Sequence, residues 1–358
     1  MKNYVKVTTD IVEFLNNDFE AILIAVPTEK DGEPYFDAIN SAIGAIKDSK
    51  HKDTLVIIES TLTPGVSEKY IAPYIKNFAV CPRRDWLGFD EPGRTLQNLP
   101  RIVGGSNEES TKMALDLLKE VCNTLHPCSY KEAELVKATE NSMRHIGSVY
   151  AQQLALGYPE LDTRKILKLA ATKWNVPEYY PNVLGTSGYC IPISSKYIIH
   201  GAENKDVLTI PEETLKLDDS ISELVAGVIK SKEPKKIAIL GLAYLGNIKV
   251  HILSGAMRLI EHLDKEIVYV HDPLYTKEEI ESITGCNYLN FPEDLKDFDI
   301  IVVASGHDFY EYCDREQLKE LTKDAMYILD NSAIWERKAD FKCKYIVPGR
   351  RNWIKNMK

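Results

Sequence analysis

The chain has 358 residues, a formal net charge of −9 and 44% hydrophobic residues. This length allows two or three domains, and the hydrophobic fraction is enough for a buried core, which excludes wholesale disorder. The negative charge gives no electrostatic reason to expect a nucleic acid or an anionic membrane as a partner.

The cysteines and the N-terminal segment indicate the compartment. Seven cysteines are irregularly spaced and no two form a CxxC pair, which favours thiols in a reducing compartment and argues against a structural zinc site. The first residues, MKNYVKVTTD, lack the apolar stretch of a signal peptide. Every apolar run is shorter than the roughly 20 residues of a membrane-spanning helix. The sequence therefore predicts a cytoplasmic protein without membrane spans.

The first region, about residues 1–128, alternates strand and helix patterns. Continuous apolar runs at Ala21–Val26 and Leu55–Glu59 predict strands buried on both faces of a parallel sheet. A helical pattern lies between them, and shorter strands are predicted at Phe78–Cys81 and Arg101–Gly105.

The middle region, about residues 129–215, predicts helices. A long helical pattern runs from about 131 to 157, and a second from about 162 to 174. A loop rich in glycine, proline and tyrosine follows and ends at Cys190. We expect an all-helical linker between two α/β domains.

The last region, about residues 216–358, returns to strands separated by helical stretches. The predicted strands are Lys235–Gly241, Glu266–Asp272, Phe298–Ser305 and Ala325–Asp330. This alternation predicts a complete Rossmann-like domain with a parallel sheet, so the fold class of the chain is α/β.

Cys190 is the first candidate for chemistry. It lies in GTSGYCIPI (Gly185–Ile193), where glycines give the backbone freedom to expose a thiol. An exposed thiolate could attack an aldehyde or another carbonyl. The alternative is a buried, inert cysteine, because cysteine is among the most buried residue types.

Glu134, Lys137 and Asn141 form the second candidate. Their spacing of three and then four residues places them on one helix face. A lysine and an amide on one stripe could hold a substrate oxygen or an oxyanion. The alternative is a solvated helix face with a salt bridge.

Two strand ends resemble ligand-binding positions of α/β sheets. The turn Gly241–Gly246 precedes a helix, and Asp272 ends the next strand, where an acidic residue often meets a ribose hydroxyl. The segment Glu59–Gly65 (ESTLTPG) follows a buried strand in the first region. An ordinary turn with a capping aspartate, and helix capping by Ser60 or Thr61, are the alternatives.

Eight short motifs in one order change the interpretation. They are VPT (26–28), ESTLTPG (59–65), CPRR (81–84), PRIVGG (100–105), AELVKATENSMR (133–144), GYCIPI (188–193), ILGLAY (239–244) and HDP (271–273). This order resembles the UDP-glucose/GDP-mannose dehydrogenase family, and within it the UDP-N-acetylmannosamine dehydrogenase branch, over nearly the whole chain.

The resemblance implies an activity and assigns residues to it. Members of the family oxidise the C6 alcohol of a nucleotide-sugar to a carboxylate in two hydride transfers to NAD. By position, Cys190 is the nucleophile that adds to the intermediate aldehyde, and Lys137 and Asn141 hold the C6 oxygen and the water. Thr28 and Thr61 are expected to contact NAD. The resemblance also implies a homodimer formed through the long central helix.

The beginning of the chain departs from the family. Family members open with a GxGxxG turn that cradles the pyrophosphate of NAD, whereas MKNYVKVTTD resembles sequence close to the family's fourth strand. We therefore expect a truncated Rossmann-like domain, doubtful NAD binding by this chain and an open strand edge near Ala21–Val26. A partner chain could supply the missing segment.

Several positions that are charged or polar in the family also differ. They are Arg83, Gln152–Gln153, Ser194, Leu245, Lys249, Val250 and Ile252. Ser194 stands where an aspartate usually assists acid–base steps, and a serine is no base near neutral pH without help. Lys249 and Val250 replace two aspartates.

Two classes of function remain open at this point. The first is an NAD-dependent 6-dehydrogenase of a UDP-hexose or UDP-N-acetylhexosamine, impaired as an isolated chain. The second is a catalytically inactive subunit that binds a nucleotide-sugar or regulates an active paralogue. The residues Cys190, Lys137 and Asn141 favour the first, and the replaced charges favour the second.

Overall fold

The computed structural model describes residues 5–84, 95–186, 188, 190–338 and 340–357. Tyr189, within the GYCIPI motif, lies outside the described residues. The chain forms two compact units, Met1–Ser142 with Ile193–Leu208 and Met143–Pro192 with Thr209–Lys358. The division into domains 1–128, 129–215 and 216–358 stays a prediction.

The first unit contains a five-stranded sheet. In chain order its elements are α1 (Ile11–Leu15), β1 (Ala21–Ile24), β2 (Glu29–Lys30), β3 (Glu33–Pro34), α2 (Asp37–Lys47), β4 (Leu55–Ile58), a π-helical turn (Ser67–Ile71), β5 (Phe78–Val80), β6 (Arg101–Gly105), α3 (Glu108–Leu118) and β7 (Leu125–Ser129). The sheet order is β1-β4-β5-β6-β7, and β5 and β6 form its one antiparallel pair. β2 and β3 form a separate hairpin.

Burial explains why these segments form the sheet. All four residues of β4 are buried, as expected for a strand with neighbours on both sides, whereas Leu23 of the edge strand β1 is 51% exposed. Ile39, Ile43 and Ile46 lie four and three residues apart in α2, so they share the face that enters the core.

Four helices follow the first sheet along the chain. They are α4 (Tyr130–Gly157), α5 (Thr163–Ala170), α6 (Cys190–Gly201) and α7 (Thr209–Lys230), with a short 3₁₀ turn at Lys205–Val207. Asp162 caps α5 by accepting a hydrogen bond from the backbone N–H of Lys165. The sequence predicted only a loop that ends at Cys190, but this residue is the first of α6.

The second unit contains a six-stranded parallel sheet. Its elements are β8 (Ile237–Leu240), α8 (Gly255–Glu261), β9 (Val268–His271), α9 (Lys277–Thr284), β10 (Asn287–Tyr288), β11 (Ile300–Val303), α10 (Asp308–Glu311), α11 (Arg315–Leu321), β12 (Tyr327–Asp330), β13 (Lys344–Ile346) and α12 (Trp353–Met357), with 3₁₀ turns at Glu293–Asp297 and Glu336–Lys338. The order β10-β9-β8-β11-β12-β13 is that of a doubly wound Rossmann-like sheet. The predicted α/β class with parallel sheets is confirmed.

Three edge strands, β7, β10 and β13, were not predicted from the sequence, whereas the edge strand β1 was. β7 contains Pro127, yet it pairs only with β6, so the missing backbone N–H costs no ladder bond on its outer side. β10 and β13 are short and pair on one side only. None of the described helices is long and apolar enough to span a membrane.

Gly104 fixes the start of α4 against β6. A Cβ added to Gly104 would lie 2.6 Å from the carbonyl oxygen of Ser129 and 2.7 Å from Cβ of Ala133. A Cβ added to Gly44, inside α2, would meet nothing within 4 Å. These two glycines therefore make a matched pair.

We predict that Gly104→Ala destabilises the first unit by about 1–3 kcal/mol, because backbone must move to admit the methyl group. Gly44→Ala should stabilise it by about 0.5–1 kcal/mol through helix propensity. Urea denaturation followed by circular dichroism measures both changes. Equal midpoints for the two variants would contradict this packing.

Candidate functional site

Cys190 is exposed at the first position of α6. Cys81, Cys122 and Cys286 are buried, and burial raises the pKa of the Cys81 thiol to about 12. The alternative of a buried and inert Cys190 is therefore wrong on exposure.

The loop before Cys190 has a restricted path. Gly185 and Gly188 have φ values of +94° and +89°, which residues other than glycine rarely adopt. A Cβ at Gly185 would lie 2.8 Å from Nη1 of Arg258, and one at Gly188 would lie 2.9 Å from the ring of Tyr244. Burial, together with the nearby Cys190, raises the pKa of Tyr244, so this phenol stays neutral near the thiol.

The predicted stripe on α4 divides into two roles. Glu134 is 1% exposed, and its carboxylate accepts hydrogen bonds from the backbone N–H groups of Gly65 at 2.8 Å and Ser67 at 2.7 Å. Burial raises the pKa of Glu134 although these hydrogen bonds oppose the shift. Glu134 therefore caps the π-helical turn and is structural. Lys137 lies 3.7 Å from a carboxylate oxygen of Glu140, with its side chain 16% exposed.

Asn141 connects α4 to α6. Its Nδ2 donates to Oγ of Ser194 at 3.1 Å, and both side chains are buried. The neighbouring pair, Ser142 and Ser195, is also joined through its hydroxyls at 3.1 Å. The serine that replaces the family's aspartate therefore serves as a hydrogen-bond acceptor for the amide beside it.

Thr28 and Thr61 come together at the carboxyl ends of β1 and β4. Oγ1 of Thr28 donates to the carbonyl oxygen of Thr61 at 2.6 Å. The Tyr197 hydroxyl donates to the carbonyl oxygen of Thr28 at 2.7 Å and lies 3.0 Å from its Oγ1. Carboxyl ends of parallel strands are where open α/β sheets bind ligands. The Thr28 hydroxyl donates its one hydrogen to Thr61 and cannot also donate it to a ligand. Its position therefore fits a residue that lines a cofactor pocket better than one that donates a hydrogen bond to the cofactor.

Glu59 neutralises two arginines near the same edge. Arg101 donates to Glu59 at 2.7 Å in a pair whose side chains are 5% and 10% exposed, and Arg83 lies 3.3 Å from the other carboxylate oxygen. Arg83 is one of the positions that the sequence comparison predicts to depart from the family pattern. Its charge is thus compensated within the first unit.

Asp272 organises the turn after β8. One carboxylate oxygen accepts from the backbone N–H groups of Leu242 at 2.8 Å and Ala243 at 3.1 Å, and Nε2 of His307 lies 3.1 Å from the same oxygen. A Cβ at Gly241 would lie 2.0 Å from Oγ of Ser305. The turn is closed by its own chain, which favours the capping interpretation of Asp272 over ribose binding.

Lys249 also has a partner in the second unit. Its Nζ lies 2.6 and 2.7 Å from the two carboxylate oxygens of Glu279, and 5.0 Å from the ring centre of Tyr275. The lysine that replaces an aspartate therefore brings no uncompensated charge to this surface.

The sequence-predicted site residues are divided between the two units. Cys190 belongs to the second unit, and Lys137, Asn141, Thr28 and Thr61 belong to the first. The structure brings Thr28 to Thr61 and Asn141 to Ser194. Joint action of Lys137 and Asn141 with Cys190 stays a prediction. Among the described residues, no group of three or more His, Cys, Asp or Glu side chains could hold a metal ion.

Sequence reasoning missed Tyr197, Asp218 and Arg258. Tyr197 carries a signal in hindsight, since it lies seven residues after Cys190 and so on the same face of α6. Asp218 and Asp219 are adjacent and read as a solvated pair, whereas Asp218 is 1% exposed. Nothing in the spacing reveals that burial.

Comparison with known proteins gives matches along most of the chain. Residues 1–125 match the NAD binding domain of the UDP-glucose/GDP-mannose dehydrogenase family, residues 131–217 match its central domain, and residues 238–337 match its UDP binding domain. The UDP-N-acetyl-D-mannosamine dehydrogenase of Methanocaldococcus jannaschii is 30% identical over 356 residues, which cover 92% of this chain and 80% of that protein.

More distant relatives extend the pattern. The UDP-N-acetyl-D-glucosamine 6-dehydrogenase of Salmonella typhi is 22% identical over 378 residues, covering 98% of this chain and 85% of that protein. The structure of a UDP-D-ManNAc dehydrogenase from Pyrococcus horikoshii superposes with a TM-score of 0.80 at 23% identity, over 97% of this chain and 84% of that one. The superposition shows a shared fold.

We predict that Asp272→Asn lowers the free energy of unfolding by about 1–3 kcal/mol at neutral pH, because the turn loses a charged acceptor. Burial acts to raise the pKa of Asp272, but the His307 contact and the backbone N–H groups outweigh it and lower the pKa. The carboxylate therefore stabilises the fold above its unfolded pKa of about 3.9, and this contribution is lost as the pH falls through the lower folded pKa.

Urea denaturation between pH 7 and pH 3 tests this sign. The difference in the free energy of unfolding between the wild type and Asp272→Asn should become smaller below about pH 4. Asp324 is exposed and lies in the same unit. Asp324→Asn is therefore the control and should change the free energy of unfolding little at any pH. A difference that widens toward low pH would contradict the assignment.

Proposed function

Because the chain belongs to the UDP-glucose/GDP-mannose dehydrogenase family, we propose that it is an NAD-dependent UDP-sugar 6-dehydrogenase. The substrate is a UDP-hexose or UDP-N-acetylhexosamine, and the product is the corresponding uronate. The names of the relatives support an N-acetylhexosamine. The observation that carries the proposal is Cys190, exposed at the start of α6 and at the position of the family's nucleophile.

NAD would supply the oxidising power, since two NAD molecules bound in turn would each accept one of the two hydrides that leave C6. Thr28 and Thr61 line the pocket for it at the carboxyl ends of β1 and β4, with Tyr197 fixing Thr28. These residues fit one wall of a cofactor site. Residues 1–125 contain no GxGxxG sequence, so the wall that cradles a pyrophosphate has no counterpart in this stretch. The open edge of β1 suits pairing with a further strand, from this or another chain.

Cys190 supplies the covalent step. Its sulfur adds to the carbon of the C6 aldehyde while the thiol proton passes to solvent and the carbonyl oxygen takes up a proton. After oxidation of this adduct, water attacks the thioester carbon, and the sulfur leaves as the thiol. Lys137 and Asn141 hold the C6 oxygen, where an ammonium and an amide stabilise negative charge as it develops.

The second candidate function is a catalytically inactive, ligand-binding or regulatory subunit. The specific observation in its favour is Ser194, which accepts a hydrogen bond from Asn141 where the family has a carboxylate. The pairing of Lys249 with Glu279 adds to it. Under this alternative the chain binds a UDP-sugar without turnover and pairs with an active paralogue.

We predict that the full chain forms NADH and a uronate from a UDP-N-acetylhexosamine when NAD is supplied at high millimolar concentration. Cys190→Ala should lower uronate formation by about a thousandfold or more, because the covalent intermediate is lost. Cys313→Ala, a half-buried cysteine of the same unit, is the matched control and should keep the wild-type rate. Binding of the UDP-sugar without any turnover would support the subunit alternative.

The affinity for NAD is a separate prediction. We expect calorimetric titration of this 358-residue chain to show no NAD site tighter than the millimolar range, since no glycine-rich turn cradles the pyrophosphate. A micromolar site would show that other residues replace this turn, and would remove the expectation of an impaired enzyme.

Exposed apolar residues on α4 support a proposal about the assembly of the protein. Leu135, Met143 and Tyr150 are 46%, 64% and 61% exposed, and their spacing of eight and seven residues places them on one face. We propose that a second copy of the chain covers this face in a homodimer. Sedimentation should show a dimer that Met143→Glu dissociates, with the exposed Glu132→Lys of the same helix as the control. A strict monomer at high concentration would overturn the proposal.

A further inference from the structure

A buried polar cluster of the second unit meets the loop before Cys190. Its centre is Asp218 of α7, which is 1% exposed. One carboxylate oxygen accepts from the backbone N–H of Thr186 at 2.6 Å and from Nε2 of Gln152 at 3.2 Å. The other lies 2.6 Å from Nη1 of Arg258 and 3.4 Å from Nε2 of His145.

This cluster joins four separate segments. His145 and Gln152 come from α4, Asp218 from α7, Arg258 from α8 and Thr186 from the loop. Burial acts to raise the pKa of Asp218, but the hydrogen bond with His145 and the charge of Arg258 outweigh it and lower the pKa. The carboxylate is therefore ionised while buried.

Stability alone is a poor explanation for such a cluster. Removing two charges from water costs several kcal/mol per ion, and well-packed apolar residues often stabilise a core as well or better. What the cluster supplies is a fixed geometry at Thr186, four residues before Cys190. The loop needs this, because Gly185 and Gly188 on either side of Thr186 give the chain backbone freedom.

We propose that Asp218 is a positioning residue that fixes the loop through the N–H of Thr186 and so holds the Cys190 thiol at the first turn of α6. The inference rests on the proposed function in taking Cys190 as the nucleophile. Arg258 contributes in two ways. It neutralises the Asp218 carboxylate, and its guanidinium lies so close to Gly185 that a side chain there would contact it. Loss of the anchor releases the thiol from the helix N-terminus.

Site-resolved alkylation of the full chain tests this without cofactor or substrate. The protein is treated briefly with iodoacetamide near neutral pH, and peptide mapping gives a rate for each cysteine. In Asp218→Ala the rate at Cys190 should fall by about three- to tenfold, because loss of the hydrogen bond at Thr186 lets the loop move, and the thiol then no longer keeps its exposed position at the first turn of α6. Asp218→Asn keeps an oxygen for the Thr186 N–H and should stay within about twofold of the wild type.

The pair of variants separates positioning from stability. Both remove the carboxylate that lies 2.6 Å from Arg258 and leave it only Asp219, at 3.4 Å, so both should unfold at lower temperature. Only Asp218→Ala loses the hydrogen bond to the loop. Asp330→Ala is the matched control: Asp330 is a fully buried carboxyl of the same unit that accepts from Trp335 N–H and the Tyr345 hydroxyl, and its loss should leave the Cys190 rate unchanged. Buried Cys286 reports general loosening of the unit.

Gly185→Ala keeps the test decisive if Asp218→Ala fails to fold. Alanine is strained at the φ of +94° that Gly185 adopts, so the loop should shift while every charge remains, and alkylation of Cys190 should slow in the same way. An unchanged Cys190 rate in the folded Asp218→Ala or Gly185→Ala variant would overturn the proposal. An equal fall in Asp218→Asn or Asp330→Ala would also overturn it. Absence of dehydrogenase turnover would instead count against the proposed function alone.

Discussion

The conformation of the loop before α6 is the constraint on which the position of the Cys190 thiol depends. A cysteine can use a helix N-terminus only when the preceding loop is held, and glycines at 185 and 188 make this loop easy to deform. The Asp218 carboxylate accepts from the backbone N–H of Thr186, and Asn331 accepts from that of Val183. Gly185 and Gly188 leave no room for a side chain beside Arg258 and Tyr244.

Three of the positions predicted to depart from the family pattern have partners within their own unit. Arg83 shares Glu59 with Arg101, Lys249 is paired with Glu279, and Ser194 accepts from Asn141. These contacts leave no buried charge without an opposite one at those places. These partners are compatible with a slower enzyme as well as with a binding subunit.

Sequence patterns predicted the central strands and the edge strand β1, and missed the edge strands β7, β10 and β13. Runs such as Leu55–Ile58 are apolar throughout because both faces of the sheet are covered, and such runs are visible in one sequence. β7 was missed because an edge strand tolerates Pro127 and polar neighbours. The family resemblance predicts Cys190 as a nucleophile, but its place at the start of a helix was missed, since Gly188 and Pro192 are both typical of loops. The role of Asp218 depends on four segments distant in sequence, and no local pattern carries it.

The central claim is that Cys190 is the thiol that meets C6 of a bound UDP-sugar, and an affinity label tests it most directly. A UDP-N-acetylhexosamine analogue with a chloromethyl ketone at C6 would react by sulfur displacing chloride, and mass spectrometry would locate the new bond. The account predicts one label per chain, on Cys190, prevented by excess UDP-sugar and formed far faster than with a chloroketone that lacks UDP. Labelling spread over Cys128, Cys313 and Cys343, at the rate of the simple chloroketone and without protection, would contradict it.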